Sequence, residues 1–138
     1  MQLRIAAIAD YVNITGNGKL NIMGIFSQIR ATAVPVIHPQ MQVVFQIAFE
    51  PSEAGQRHVR ISLHDLDGTE VIEISGTMEI PNFDGPDPLV VNQLLPLMNV
   101  VFPHFGSYEF TIEIDGTELP AHIPVDLIQI ANADQSQV

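Results

Sequence analysis

The residues that could carry chemistry in this chain are five histidines, a surplus of carboxylates and a few serines. His38, His58, His64, His104 and His122 show no ligand spacing. A zinc site needs three or four converging ligands, each held by a further partner. These imidazoles are therefore expected as surface or loop residues. Asp65-Leu66-Asp67-Gly68 resembles the opening of a calcium loop, but its glycine is fourth and strand-like runs flank it. An EF-hand needs glycine at the sixth position and helices on both sides, so this run reads as a hairpin turn. The loop 82–88, with Asp84 and Asp87, is better placed to offer oxygens to calcium at one end of a β domain. Ser62, Ser75 and Ser107 fall on the solvent side of alternating runs, and no Gly-x-Ser-x-Gly elbow is present. Glu109 and Glu113 share one strand face, as the acids of any solvated strand do. No Gly-rich loop leads into a helix to cradle phosphate. Asn13-Ile14-Thr15 matches a glycosylation acceptor, which matters only in a secreted chain. No enzyme, metal site or cofactor is expected.

The elements that would position these groups are strands. Period-two alternation recurs along the chain, placing successive side chains on opposite faces. In residues 41–50, Val43, Phe45, Ile47 and Phe49 share one face. Val59, Ile61 and Leu63 do so in residues 58–64, and Ile72, Ile74, Met78 and Ile80 in residues 70–80. Tyr108, Phe110, Ile112 and Ile114 repeat the pattern. Thr15-Gly16-Asn17-Gly18, Asp67-Gly68 and Asp115-Gly116 supply turns between such runs. Ten prolines break up any longer helix. Residues 89–102 are ambiguous: a short helical turn fits Leu94, Leu95, Leu97 and Met98, and a strand fits 97–102.

The fold expected is one antiparallel β-sandwich, immunoglobulin-like or related, with about eight strands over residues 1–130. A short polar tail, 131–138, follows. The N-terminal apolar run ends at Asp10 and does not read as a signal peptide. No run approaches the roughly 20 apolar residues of a membrane helix. The absence of cysteine suits a reducing compartment, and the expected location is cytoplasmic.

Charge narrows the partners. The net charge is −11, and only 15% of residues are charged, against about 25% in an ordinary domain. All five basic residues, Arg4, Lys19, Arg30, Arg57 and Arg60, lie in the first 60 positions. Nucleic acid and anionic membrane both need a basic face, so neither is an expected partner. A chain poor in charge covers its surface with neutral groups or buries part of it against another chain.

Two blocks resemble a known family. Ala9-Asp10-Tyr11 with Gly18-Lys19-Leu20-Asn21-Ile22-Met23-Gly24-Ile25-Phe26 is similar to the opening of a family of small bacterial proteins of unknown function. Val101-Phe102-Pro103-His104-Phe105-Gly106-Ser107-Tyr108-Glu109-Phe110 is similar to its second block. The resemblance implies a compact β-sandwich and a bacterial source, and no activity. The second block also has a physical reading: Gly106 ends a turn, and Tyr108 plugs the core edge with its hydroxyl on loop backbone.

One oddity points to function. Leu20, Ile22 and Phe26 take one face of their strand, yet Met23 and Ile25 take the other. Val44 and Ala48 likewise lie opposite a good apolar face. Such strands are covered by the chain's own segments, 131–138 among them, or by a partner. The expected function is a non-catalytic interaction or assembly module that binds protein, including copies of itself, through Met23, Ile25 and Val44. The alternative is a small-ligand module taking calcium or sugar at the loop 82–88; with no Trp and two Tyr, sugar is the poorer branch.

Overall fold

Each run of strict alternation becomes a strand, and the computed structural model, which describes residues 1–131, holds ten of them. They are β1 (Gln2–Ile14), β2 (Leu20–Ile25), β3 (Gln28–Ala31), β4 (Val36–Phe49), β5 (Gly55–Asp65), β6 (Glu70–Ile80), β7 (Leu89–Phe102), β8 (Gly106–Ile114), β9 (Thr117–Glu118) and β10 (Ile123–Gln129). A single 3-10 turn, Pro51–Glu53, links β4 to β5. Apart from Ala131, the tail expected at 131–138 lies outside the described residues. Among those residues, no helix is long and apolar enough to cross a membrane.

The strands form two layers. The first sheet runs β2-β1-β4-β7, and the second runs β3-β10-β8-β5-β6 with β9 paired to β8. All pairings are antiparallel except β3 with β10. This all-β sandwich is the fold class expected. The ambiguous residues 89–102 form one continuous strand, paired with β4 from Val36↔Phe102 to Phe49↔Leu89. Pro96 is tolerated because β7 is an edge strand, where a missing N–H deprives no neighbour.

The core fills the space between the layers. Met41, Val43, Phe45, Ile47 and Phe49 project into it from β4, and Tyr108, Phe110, Ile112 and Ile114 from β8. A second, smaller cluster joins Ala9, Val12 and Val44, with Ala7, Leu20, Ile22 and Leu94 packed against it. Ala7 and Leu94 flank Val44 on the neighbouring strands, on the face of the first sheet turned away from the core. The β1–β2 hairpin supplies the rest of this cover.

The hairpin carries a backbone irregularity. Gly24 has φ +74°, and a Cβ built there would stand 2.6 Å from the Asp10 carboxylate. Only glycine satisfies both demands.

Candidate functional site

A group of titratable side chains lies where the β5–β6 turn meets the β7–β8 loop. Asp65 ends β5 with its side chain 8% exposed. Its Oδ1 accepts the backbone N–H groups of Asp67 and Thr69, both at 2.9 Å, which fixes the turn. Its Oδ2 faces His104 Nε2 at 3.1 Å. On the other side of the ring, Nδ1 faces the Phe105 carbonyl at 3.1 Å. Both partners are acceptors, an arrangement that favours the protonated imidazole. The Phe105 carbonyl and then the Asp65 carboxylate raise the His104 pKa. Burial pushes Asp65 up, but donation from Thr69, His104 and Asp67 outweighs it and holds the carboxyl below its ordinary range. A general base must present an unprotonated nitrogen to its substrate. Both ring nitrogens of His104 face acceptors in the two loops, and the group ties those loops together.

Tyr108 completes the tie. Its hydroxyl donates to the His104 carbonyl at 2.6 Å and accepts the His104 N–H at 3.2 Å. The sequence expectation for this tyrosine holds: it is buried and its hydroxyl is on loop backbone. The Asp65–His104 contact was not foreseeable, because nothing local announces a pairing 39 residues apart.

The outer face of the second sheet is charged. Arg60 on β5 bridges Glu70, Glu73 and Glu113 of the flanking strands, and its pKa is raised, first by the Glu73 hydrogen bond. Ser62 lies on this face as expected, yet neighbouring side chains seal it and its hydroxyl pairs with Thr111 at 2.7 Å.

The outer face of the first sheet is the opposite case. β2, β4 and β7 contain no Asp, Glu, Lys or Arg, and β1 contributes only Arg4 and Asp10. Ile37 pairs with Val101 and Gln40 with Met98 across β4 and β7, and Ile37 and Met98 are 60% and 64% exposed. Gln46 Nε2 donates to Asn92 Oδ1 at 2.8 Å farther along the same pair of strands. Of the residues expected at an interface, Met23 and Ile25 are 53% and 65% exposed on the edge hairpin, opposite Tyr11 and Ala9. Val44 is different. It is fully buried beneath the β1–β2 hairpin and presents no surface to a partner. Ile37, Met98 and Val101 escaped the sequence reading. The signal was present: residues 31–49 and 88–108 contain no formally charged side chain.

In the loop 82–88, Asp84 and Asp87 are exposed while Phe83 packs against the core. Among the described residues, no three His, Asp or Glu groups converge in a way that could hold a metal ion.

The two packed sheets define a β-sandwich domain, one sheet rich in charge and the other nearly free of it. The chain belongs to a family of unknown function, DUF6941, whose model matches residues 4–127. The two sequence blocks that suggested such a family both fall in this span. No curated protein matches the chain significantly.

Proposed function

We propose that this chain is a non-catalytic protein-interaction module that works through the outer face of the β2-β1-β4-β7 sheet. One observation carries the reading: three of the four strands of this sheet lack formal charge in a chain of net charge −11. Ile37, Met98 and Val101 are exposed there, and Met23 and Ile25 stand exposed on the edge hairpin of the same sheet. Charge depletion with exposed Met and aliphatic side chains is the composition of an interface core rather than of free surface. The cysteine-free sequence suits the reducing cytoplasm, where we place the module.

Methionine footprinting tests this directly. Met98 and Met23 are exposed, whereas Met41 and Met78 are buried and serve as internal controls. Brief oxidation of the chain at low concentration in a native extract should label Met98 more slowly than in dilute buffer. Equal labelling in both, and in the pure chain at high concentration, would sink the reading.

A further inference from the structure

We infer that the occupant of this face is a second copy of the same chain, packed back to back across β4 and β7. The inference rests on the reading above and names its partner. Electrostatics supplies the first argument. The acids of Glu70, Glu73, Glu79, Glu109 and Glu113 lie on β6 and β8 in the opposite sheet. Two copies meeting through any charged face would set these groups against each other. Packed sheets are about 10 Å apart, so a back-to-back pair holds its acidic faces about 30 Å apart. That is several times the Debye length of about 8 Å at physiological salt. A basic partner, by contrast, would be drawn to the acidic sheet and not to this one.

The face is also its own complement. Its polar side chains include the amides Gln40 and Gln42, beside Gln46 and Asn92, which bond to each other. An amide both donates and accepts, so a two-fold axis can satisfy it with a copy of itself. Ile37, Met98 and Val101 then supply the apolar area at one end.

The sheet edges do not compete. On β7, Pro96 removes an N–H, and Asn99 at φ +55° breaks the run that a neighbouring strand would follow. On β2, Gly24 is kinked at φ +74° under the Asp10 carboxylate. Both edges are blunted by backbone rather than by charge, which leaves the part of the outer face beside the hairpin, around Ile37, Met98 and Val101, for contact.

Light scattering of the full chain from micromolar to hundreds of micromolar, at low and high salt, tests the inference. The mass should rise toward twice 15.2 kDa with concentration and hold at high salt. Met98→Lys and Ile37→Lys should each weaken the pair at least tenfold without changing the circular dichroism spectrum. Should either variant fail to fold, slower Met98 oxidation in the concentrated wild type gives the same answer. A monomer at every concentration, with Met98 equally reactive throughout, overturns the second copy. If Met98 is nevertheless shielded in the native extract, the interaction face stands with another protein on it. A dimer untouched by both variants puts the contact elsewhere and overturns this inference. Unshielded Met98 in that dimer and in the extract overturns the face as well.

Discussion

Tyr108 and His104 hold each other twice, through the 2.6 Å bond from phenol to carbonyl and through rings stacked with centroids 5.1 Å apart. The phenol's other edge meets Phe102 at 78°, which ties this loop to the aromatic core. Tyr108→Phe keeps the packing and removes the hydroxyl. A hydrogen bond of this kind contributes about 0.5–1.5 kcal/mol, and urea denaturation should find a loss in that range with the m-value unchanged. No change would mean that water replaces the hydroxyl without cost.

The Asp65–His104 pair makes stability depend on pH in a defined window. His104 has a raised folded pKa, so its contribution is complete below about 6.5 and is lost as pH rises through the folded value. Asp65 has a lowered folded pKa, so its contribution is present above about 3.8 and is lost as pH falls through the folded value. Asp65→Asn retains an oxygen for the turn but not the charge. The urea midpoint of the variant should fall furthest behind wild type between about pH 4 and 6.5, and the gap should narrow toward pH 9. A gap of constant size across that range would remove the ion pair from the account.

His38 titrates in the opposite direction. Burial lowers its pKa, against the raising influence of the Gln40 backbone and Asp10, and its Nε2 is buried without a hydrogen-bond partner. Its ring lies 5.7 Å from that of Phe26. The unfolded state binds this proton more tightly, so stability falls as pH drops below about 6.5. An NMR titration should place His38 below and His104 above the ordinary histidine value. The reverse order would contradict both environments.

Core and turn positions should separate cleanly. Phe110 is fully buried between the sheets, and Phe110→Ala should cost about 3–5 kcal/mol. Leu66 is 81% exposed at the tip of the β5–β6 turn, and Leu66→Ser should stay within about 0.5 kcal/mol. Thermal or urea unfolding of the two variants checks the contrast; comparable losses would place Leu66 in a contact that the isolated chain lacks.

Gly24→Ala meets both a positive φ and the Asp10 carboxylate. The backbone alone costs about 1–2 kcal/mol. Asp10→Ala in the same chain should restore part of the loss, because the carboxylate is the closest atom in the way. Additive losses in a double-mutant cycle would show that the two residues do not interact.

The core was legible in the sequence because burial between two layers writes itself as alternation. Val43, Phe45, Ile47 and Phe49 show it, as do Tyr108, Phe110, Ile112 and Ile114. Residues 89–102 were harder to read because β7 is apolar on both faces, so the period that separates strand from helix is blurred. Val44 misled for a related reason. Alternation assigns a face but not what lies over it, and here the chain's own hairpin covers the residue. The segregation of charge depends on which strands become neighbours. The first half of the sequence holds all the basic residues, yet Arg57 and Arg60 lie on β5 among the acids of β6 and β8. Sheet membership, and not sequence order, decides where the field lies.

The parallel pairing of β3 with β10 sets a timetable for the folding chain. Asp126 N–H bonds to the Ser27 carbonyl at 2.8 Å and Ile130 N–H to that of Ala31 at 2.9 Å, so the edge of the second sheet joins distant parts of the sequence. A ribosome adding about 5–20 residues per second makes β3 on the order of 5–20 seconds before its neighbour β10 exists. During that interval β5, β6, β7 and β8 are made, so the core face of β4 meets strands of the second sheet before β3 has its partner. The edge strand β3 thus waits longest for its pairing, and among the described residues the last strand to be synthesised is the one that secures that edge of the second layer.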